Sequence, residues 1–425
     1  MKVVIIAGGK GTRIASVNNE IPKAMIPIGS KPVLEYQIEL AKRYGFEDII
    51  LIIGYLGNVI RDYFQDGSKW GVSISYFEET MPLGTAGALP ELKGILTEDF
   101  FVFYGDTVMD IALDKMLSFH KEKNANASLF LHPNDHPYDS DLVAVNKEGQ
   151  IIDFFSKPHR DGFVGRNIVN AALYILSPAI INYIPKNKKS DFGKDIFPLC
   201  LIGGMKLYGY ISSEYIKDMG TPERYKKVSA DVLSGKVARL NRMYPGKAIF
   251  LDRDGVIVKD TNLLNDPGDL ELISGVIEAI KLINKSDFLA IVVSNQPVIA
   301  KNLCSIEELE LIHDTIETML GREGVYLDAI YYCPHHPDGG FPEERKEYKI
   351  ICDCRKPKPG MLIKASKEWN IDLSKSYMIG DRVSDVEAGK NAGVRESFLI
   401  EQNKDNSLLN VVSKILEHDN IKDSI

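Results

Sequence analysis

An α/β fold in two domains, each on a largely parallel sheet, is what the sequence predicts, and three observations carry that prediction. The chain has 425 residues, more than one hydrophobic core usually organises, and 44% of them are apolar, as in ordinary globular protein. Short apolar runs alternate with helical patterns, and after a break the alternation restarts past residue 246. Each half also opens on a buried run that leads straight into a loop suited to phosphate. VVIIA leads into Gly8-Gly9-Lys10-Gly11-Thr12-Arg13, and AIFL leads into Asp252-Arg253-Asp254-Gly255.

In the first half, strands are expected at 49–53, 100–103 and 142–145, with a helix over 33–44. A polar helical stretch follows Thr221-Pro222 to residue 240, and Tyr244-Pro245-Gly246 ends it before a new buried strand at Lys247. Domains are therefore expected at 1–235 and 247–425, with 236–246 as linker. Past the linker, strands at 248–251, 288–293 and 376–379 surround a helix at 275–284, which predicts a second doubly wound unit. The net charge of −8 argues against a nucleic-acid-binding face, so anions must be held by local Lys/Arg clusters, glycine loops or metal ions. No long apolar span predicts a membrane partner, MKVVIIAGG reads as a first strand, and five cysteines are too few for a disulfide scaffold. A reducing cytoplasm fits this composition, and a homo-oligomer is compatible with it.

The glycines of the first loop, Gly8, Gly9 and Gly11, let backbone N–H groups approach a polyphosphate, with Lys10 and Arg13 to hold charge. Lys23, in Ile21-Pro22-Lys23-Ala24-Met25, adds a second cation near that loop. The glycine spacing fits neither the Walker pattern nor the dinucleotide fingerprint. Downstream come Leu83-Gly84-Thr85-Ala86-Gly87, then FVFYGD ending at Asp106, then Ser156-Lys157-Pro158, and Lys217-Asp218-Met219-Gly220-Thr221-Pro222. With its opening GGxGTR and closing DxGTP, this half resembles the sugar-1-phosphate nucleotidyltransferases along its whole length. The resemblance implies a Rossmann-like nucleotide-binding domain in which a sugar 1-phosphate oxygen attacks the α-phosphorus of an NTP and pyrophosphate leaves. It further implies that Asp106 and Asp218 hold Mg²⁺. Gly8, Gly9, Gly11, Thr12, Arg13 and Lys23 would bind the NTP phosphates, and Lys157 the sugar phosphate. Gly84, Thr85 and Gly87 would line the base or sugar pocket. Ser156 departs from the family, many of whose members carry Glu before the lysine. Cations and a metal suit the reaction, because its transition state gathers negative charge on the transferred phosphoryl group.

In the second half, Asp252 and Asp254 follow a strand, Ser294-Asn295-Gln296 follows IVV, Arg355-Lys356-Pro357 sits in a loop, and Gly380-Asp381 follows Tyr-Met-Ile. This ordered set resembles the haloacid dehalogenase superfamily, which implies that Asp252 attacks phosphorus and Asp254 acts as acid and then base. By the same resemblance Asp252, Asp254 through its carbonyl, and Asp381 bind Mg²⁺, with Asp385 in support, while Ser294, Asn295 and Lys356 hold the phosphoryl group. Cys333 and His335, then Cys352 and Cys354, are two close pairs of zinc-type ligands, and four protein ligands leave no position for a reactive water. A structural Zn²⁺ is expected there, pinning the loop that carries Arg355 and Lys356, with His336 as alternative fourth ligand. Cys200 and Cys304 read as packing residues.

The run YYCPHHPDGG followed by CDCRKPKPGML resembles the heptose 1,7-bisphosphate 7-phosphatases more closely than the histidinol-phosphate phosphatases, whose zinc loop is shorter. Arg355 suits a second substrate phosphate. Pro297-Val298-Ile299-Ala300-Lys301-Asn302 departs from that family's Ser-Gly-Ile-Ala-Arg-Gly. A 7-phosphatase yields heptose 1-phosphate, a substrate type for the first half, so the two resemblances together imply consecutive steps of GDP-heptose synthesis with GTP as nucleotide donor. Two alternatives stay open at this stage. One keeps both reactions on a hexose phosphate with another NTP, and the other joins a histidinol-phosphate-type phosphatase to a non-catalytic sugar-nucleotide sensor.

Overall fold

The computed structural model describes residues 1–11, 20–339 and 343–422. The chain divides into two compact units: Met1–His132, Ser140–Lys157 and Ile168–Met243 form the first, and Pro133–Asp139, Pro158–Asn167 and Tyr244–Ile425 the second.

The first unit is built on a nine-stranded sheet. Its opening strand, Val3–Ile6, lies parallel between Asp48–Ile53 and Phe100–Tyr104, and Ser73–Glu78 extends the parallel part beyond Asp48–Ile53. Alternate side chains serve opposite faces: Val3, Ile5, Phe101 and Phe103 join one core, while Val4, Phe100 and Val102 join the other. Both faces are therefore covered, which is why these strands read as unbroken apolar runs. The expected parallel sheet is only half realised, because Val169–Leu176 runs antiparallel to Phe100–Tyr104 and Leu142–Val145 pairs antiparallel with Ile151–Phe155. Strands joined by short connections can pair antiparallel, whereas parallel neighbours need a crossover, and no crossover pattern separates 142–145 from 151–155.

The stretch expected as linker, 236–246, does not run free. The helix Lys236–Arg239 buries Val237, and Asn241 is buried with its side-chain amide on Asp110, 2.6 Å away. Through Met243 these residues belong to the first unit.

The second unit carries a five-stranded, wholly parallel sheet ordered Ala329–Cys333, Phe288–Asn295, Lys247–Leu251, Tyr377–Gly380, Glu396–Leu399. Against its helix Ile306–Arg322 rest the two segments that come from the first half of the sequence. Asn167 donates its N–H to Glu317 at 2.7 Å, Tyr138 its hydroxyl to the Thr318 carbonyl at 2.9 Å, and Gly165 its N–H to the Thr318 hydroxyl at 3.3 Å. Among the described residues no helix is long and apolar enough to cross a membrane.

Candidate functional sites

In both units the predicted chemistry gathers where parallel strands end, the edge at which open α/β sheets take ligands. In the first unit Gly8 follows the opening strand and packs so tightly that a Cβ there would lie 2.5 Å from a Glu79 carboxylate oxygen. Gly11 sits at φ 61°, a left-handed conformation that glycine adopts without strain. Thr12 and Arg13, the remaining loop expectations, lie outside the described residues.

Asp106 occupies the turn after Phe100–Tyr104, and Tyr215–Asp218 pairs antiparallel with Thr107–Asp110 so that Asp218 faces Thr107. That register seats two residues 112 positions apart in sequence side by side, and the Met219 N–H closes the turn on the Asp106 carbonyl at 3.1 Å. Lys23 forms an ion pair with Asp106, and Arg224 one with Asp218 at 2.8 Å. Burial acts to raise the Asp218 pKa, but Arg224 and Lys23 outweigh it and hold the carboxyl below its ordinary value. Asp218 thus presents anionic oxygen, the donor that Mg²⁺ takes.

Gly84 and Gly87 have a packing reason to be glycine. A Cβ on Gly84, at φ 82°, would come 2.5 Å from the Ser190 carbonyl, and one on Gly87 would come 2.6 Å from the Lys188 carbonyl. The Thr85 hydroxyl is committed to Asp191 at 3.0 Å, and Asp191 caps the turn at Phe192–Ile196, so Thr85 fixes this turn against Gly84–Gly87. Lys157 stands just past Ile151–Phe155, its backbone N–H on Asp141 at 3.0 Å.

In the second unit Asp252 ends the strand Lys247–Leu251 and is buried, its N–H on the Ile379 carbonyl at 3.0 Å. One carboxylate oxygen each from Asp252, Asp381 and Asp385 lies within 4.8 Å of the others. Asp385, expected only in support, is thus a full member of the cluster. Burial, then Asp252 and Asp385, push Asp381 up to about 6. Both Asp381 oxygens are buried without a hydrogen-bond partner, a cost that a bound cation removes, so this oxygen-donor set fits Mg²⁺. Lys356 is buried between Asp252, at 2.9 Å, and Asp385, at 2.7 Å. Burial opposes its charge, but the two carboxylates prevail and raise its pKa.

Asn295 holds Lys356 in place at the backbone, accepting its N–H at 3.0 Å and donating to its carbonyl at 3.1 Å. Asp252, Asp254, Ser294, Asn295, Arg355, Lys356 and Arg382 line one open cavity.

One ligand atom each from Cys333, His335, Cys352 and Cys354 also falls within 4.8 Å of the others. The three sulfurs are 3.1, 3.3 and 3.5 Å apart, and His335 Nδ1 lies 3.4 Å from Cys354 Sγ and 3.7 Å from Cys333 Sγ. A tetrahedron of ~2.3 Å zinc–sulfur bonds has edges of roughly 3.7 Å, close to these spacings. His336 Nδ1 lies instead 3.2 Å from the Asp338 carbonyl, so His335 is the residue gathered into the cluster. Arg355 donates to the His335 carbonyl at 3.0 Å, tying the cluster to the cavity. Cys200 and Cys304 are buried packing thiols.

Sequence reasoning missed Arg253 and Gln296, which bond Asp254, and His313, which backs Arg253. In the sequence Arg253 stands between two carboxylates. Its signal is chemical: a residue next to a buried strand end in a D-x-D run shares the burial, and a buried guanidinium needs partners.

A nucleotidyl transferase family model matches residues 2–235, and a HAD-hydrolase-like model matches 353–408. The UTP–glucose-1-phosphate uridylyltransferase of Synechocystis is 33% identical over 58% of this chain, which spans 66% of that enzyme's length. The mannose-1-phosphate guanylyltransferase of Mycobacterium tuberculosis is 32% identical over 64% of this chain and 74% of its own. The D-glycero-β-D-manno-heptose-1,7-bisphosphate 7-phosphatase of Pasteurella multocida is 42% identical over 37% of this chain and 83% of its own. The chain therefore belongs to the nucleotidyl transferase family and carries, in its C-terminal part, a HAD-type phosphatase of the heptose-bisphosphate kind.

Proposed function

We propose that this chain performs two consecutive steps of sugar-nucleotide synthesis, removing the 7-phosphate of heptose 1,7-bisphosphate and transferring GMP from GTP to the resulting heptose 1-phosphate. The observation that carries the reading is a phosphatase cavity fused to a nucleotidyltransferase and flanked by a Cys₃His cluster bonded to Arg355. The 7-phosphatase likeness supports the first substrate and the guanylyltransferase likeness the nucleotide.

In the phosphatase, an Asp252 oxygen attacks phosphorus as the bond to the sugar oxygen breaks, and Asp254 supplies the proton that oxygen needs. Water then attacks the aspartyl-phosphate, its proton passes to Asp254, and phosphate leaves with Asp252 restored. Lys356, fixed between Asp252 and Asp385, balances the carboxylates so that the dianionic phosphate can approach. Mg²⁺ held by Asp252, Asp381, Asp385 and the Asp254 carbonyl would supply the remaining positive charge. Zn²⁺ is the metal whose ligand preferences match the Cys₃His set, and bound there it would hold the Arg355 loop. Arg355 then meets the substrate's second phosphate.

In the transferase, the sugar 1-phosphate oxygen attacks the NTP α-phosphorus in line and pyrophosphate leaves. Lys23, Lys10 and Arg13 balance the phosphates, Lys157 orients the sugar phosphate, and Asp106 and Asp218 would hold Mg²⁺ where charge develops.

The test supplies heptose 1,7-bisphosphate, GTP and Mg²⁺ and measures phosphate, pyrophosphate and GDP-heptose. The α-configured product is expected, but the 7-phosphatase relative is named for the β anomer, so both anomers are assayed. Efficient turnover of a hexose 1-phosphate with another NTP, and of neither heptose, would overturn the substrate assignment while leaving both reaction classes in place.

A further inference from the structure

Arg253 is 1% exposed, so every donor on its guanidinium needs a partner inside the protein. Each of its three nitrogens has at least one. Nε lies 3.0 Å from Asp254 Oδ1, while Nη2 lies 2.8 Å from Oδ1 and 3.0 Å from Oδ2, a forked grip on the whole carboxylate. Nη2 also reaches Gln296 Oε1 at 2.9 Å, and the Gln296 amide returns to Asp254 Oδ2 at 2.8 Å and to Ser294 Oγ at 2.7 Å. Nη1 meets His313 Nε2 at 3.3 Å.

Arginine has no acceptor, so His313 Nε2 must accept, which requires a neutral ring at that nitrogen. Burial, then Arg253 and Arg166, push the His313 pKa well below its ordinary value, in agreement with that hydrogen bond. Backed on one side by His313 and tied on the other through Gln296 to Ser294, Arg253 cannot swing without breaking several bonds.

A carboxylate gripped through both oxygens cannot turn, so the direction from which Asp254 meets a proton is set by Arg253 and Gln296. We propose that Arg253, supported by His313 and Gln296, is a positioning residue for the second half-reaction, holding Asp254 as the base that activates water against the aspartyl-phosphate. The proposal rests on the Asp252/Asp254 assignment above. In that step the water oxygen bonds to phosphorus, the phosphorus–Asp252 bond breaks, and the water proton moves to Asp254. Arg253 acts only through Asp254, whose two oxygens it bonds.

p-Nitrophenyl phosphate separates the two halves, because its leaving group departs without a proton donor and its release reports aspartyl-phosphate formation alone. With the full-length protein, Arg253→Met and His313→Leu should keep a burst of one p-nitrophenolate per active site while steady-state turnover falls, by roughly 10²-fold for Arg253→Met. Phosphoenzyme should accumulate accordingly. His313→Gln keeps an acceptor for Nη1 and should recover most of the steady rate. The burst counts folded active sites, so a misfolded Arg253→Met is recognised, and the paired His313 variants then decide. Loss of burst rate and steady rate in equal proportion, or equal behaviour of His313→Gln and His313→Leu, would overturn the proposal. An Asp254→Asn protein with an unchanged steady phase would instead overturn the underlying assignment of Asp254.

Discussion

The two carboxylate sites answer the same problem, an anionic substrate approaching anionic ligands, with different amounts of built-in structure. In the phosphatase the lysine and its partners are interior: the side chains of Lys356, Asp252 and Asp385 are 1%, 8% and 1% exposed. In the transferase the corresponding pairs face solvent, with Asp106 32% and Asp218 41% exposed. A buried site is organised before substrate arrives, at a cost to stability if any member is lost. An exposed one draws its order from its ligands and from water, and its members can be exchanged with little effect on folding.

The largest effects should come from the reactive carboxylates. Asp252→Asn removes the nucleophile, and phosphate release should fall by at least about 10³-fold while nucleotidyl transfer from heptose 1-phosphate persists. Asp218→Ala should do the reverse. Measuring both activities in both proteins tests the separation, and loss of both from either substitution in folded protein would show that the sites do not work apart.

A sharper test compares the lysines. Lys356→Met leaves Asp252 and Asp385 buried without their cation, so it should destabilise the protein by about 3 to 5 kcal/mol in denaturant unfolding. Lys23→Met, at a solvent-facing pair, should cost at most about 1 kcal/mol while still impairing nucleotidyl transfer. Equal stability losses would break the contrast between a prebuilt and a ligand-ordered site.

Zinc is the next lever. Metal analysis of freshly isolated protein should find about one zinc per chain. Cys352→Ser should lower phosphatase activity by about 10-fold and loosen the Arg355 loop to protease, with nucleotidyl transfer near normal. Metal-free protein with full phosphatase activity would remove the cluster from the argument.

What the sequence disclosed follows from how local the chemistry is. The Cys₃His set was legible because its ligands fall in two close pairs whose softness names the metal type. Asp106 and Asp218 were legible only through family likeness, since a strand register, not spacing, brings them together. Asp385 was understated because its place in the cluster depends on how the helix Val383–Ala392 starts against Gly380. The Arg253 grip was not legible, because nothing in Asp252-Arg253-Asp254 says which way the guanidinium turns. The antiparallel part of the first sheet and the attachment of 133–139 and 158–167 to the second unit depend on contacts between residues far apart in sequence, where periodicity carries no signal.

Those attached segments yield the smallest predicted effect, a pH dependence with a definite sign. Burial pushes Asp314 up to about 7, with Glu317 adding and Arg166, on the segment Pro158–Asn167, opposing. A carboxyl whose folded pKa exceeds its unfolded value contributes stability fully below the unfolded pKa, and that contribution is lost as pH rises through about 7. The shift sets a ceiling of about 4 kcal/mol, which partial solvent contact reduces to about 1 to 2. Asp314→Asn cannot ionise, so wild type and variant should unfold alike near pH 4 and separate by pH 8, the variant melting a few degrees higher. Arg166→Met should widen the wild-type pH dependence by removing a cation that opposes it. Parallel stability curves for wild type and Asp314→Asn between those pH values would mean that Asp314 keeps its ordinary titration and that the helix Ile306–Arg322 tolerates its charge.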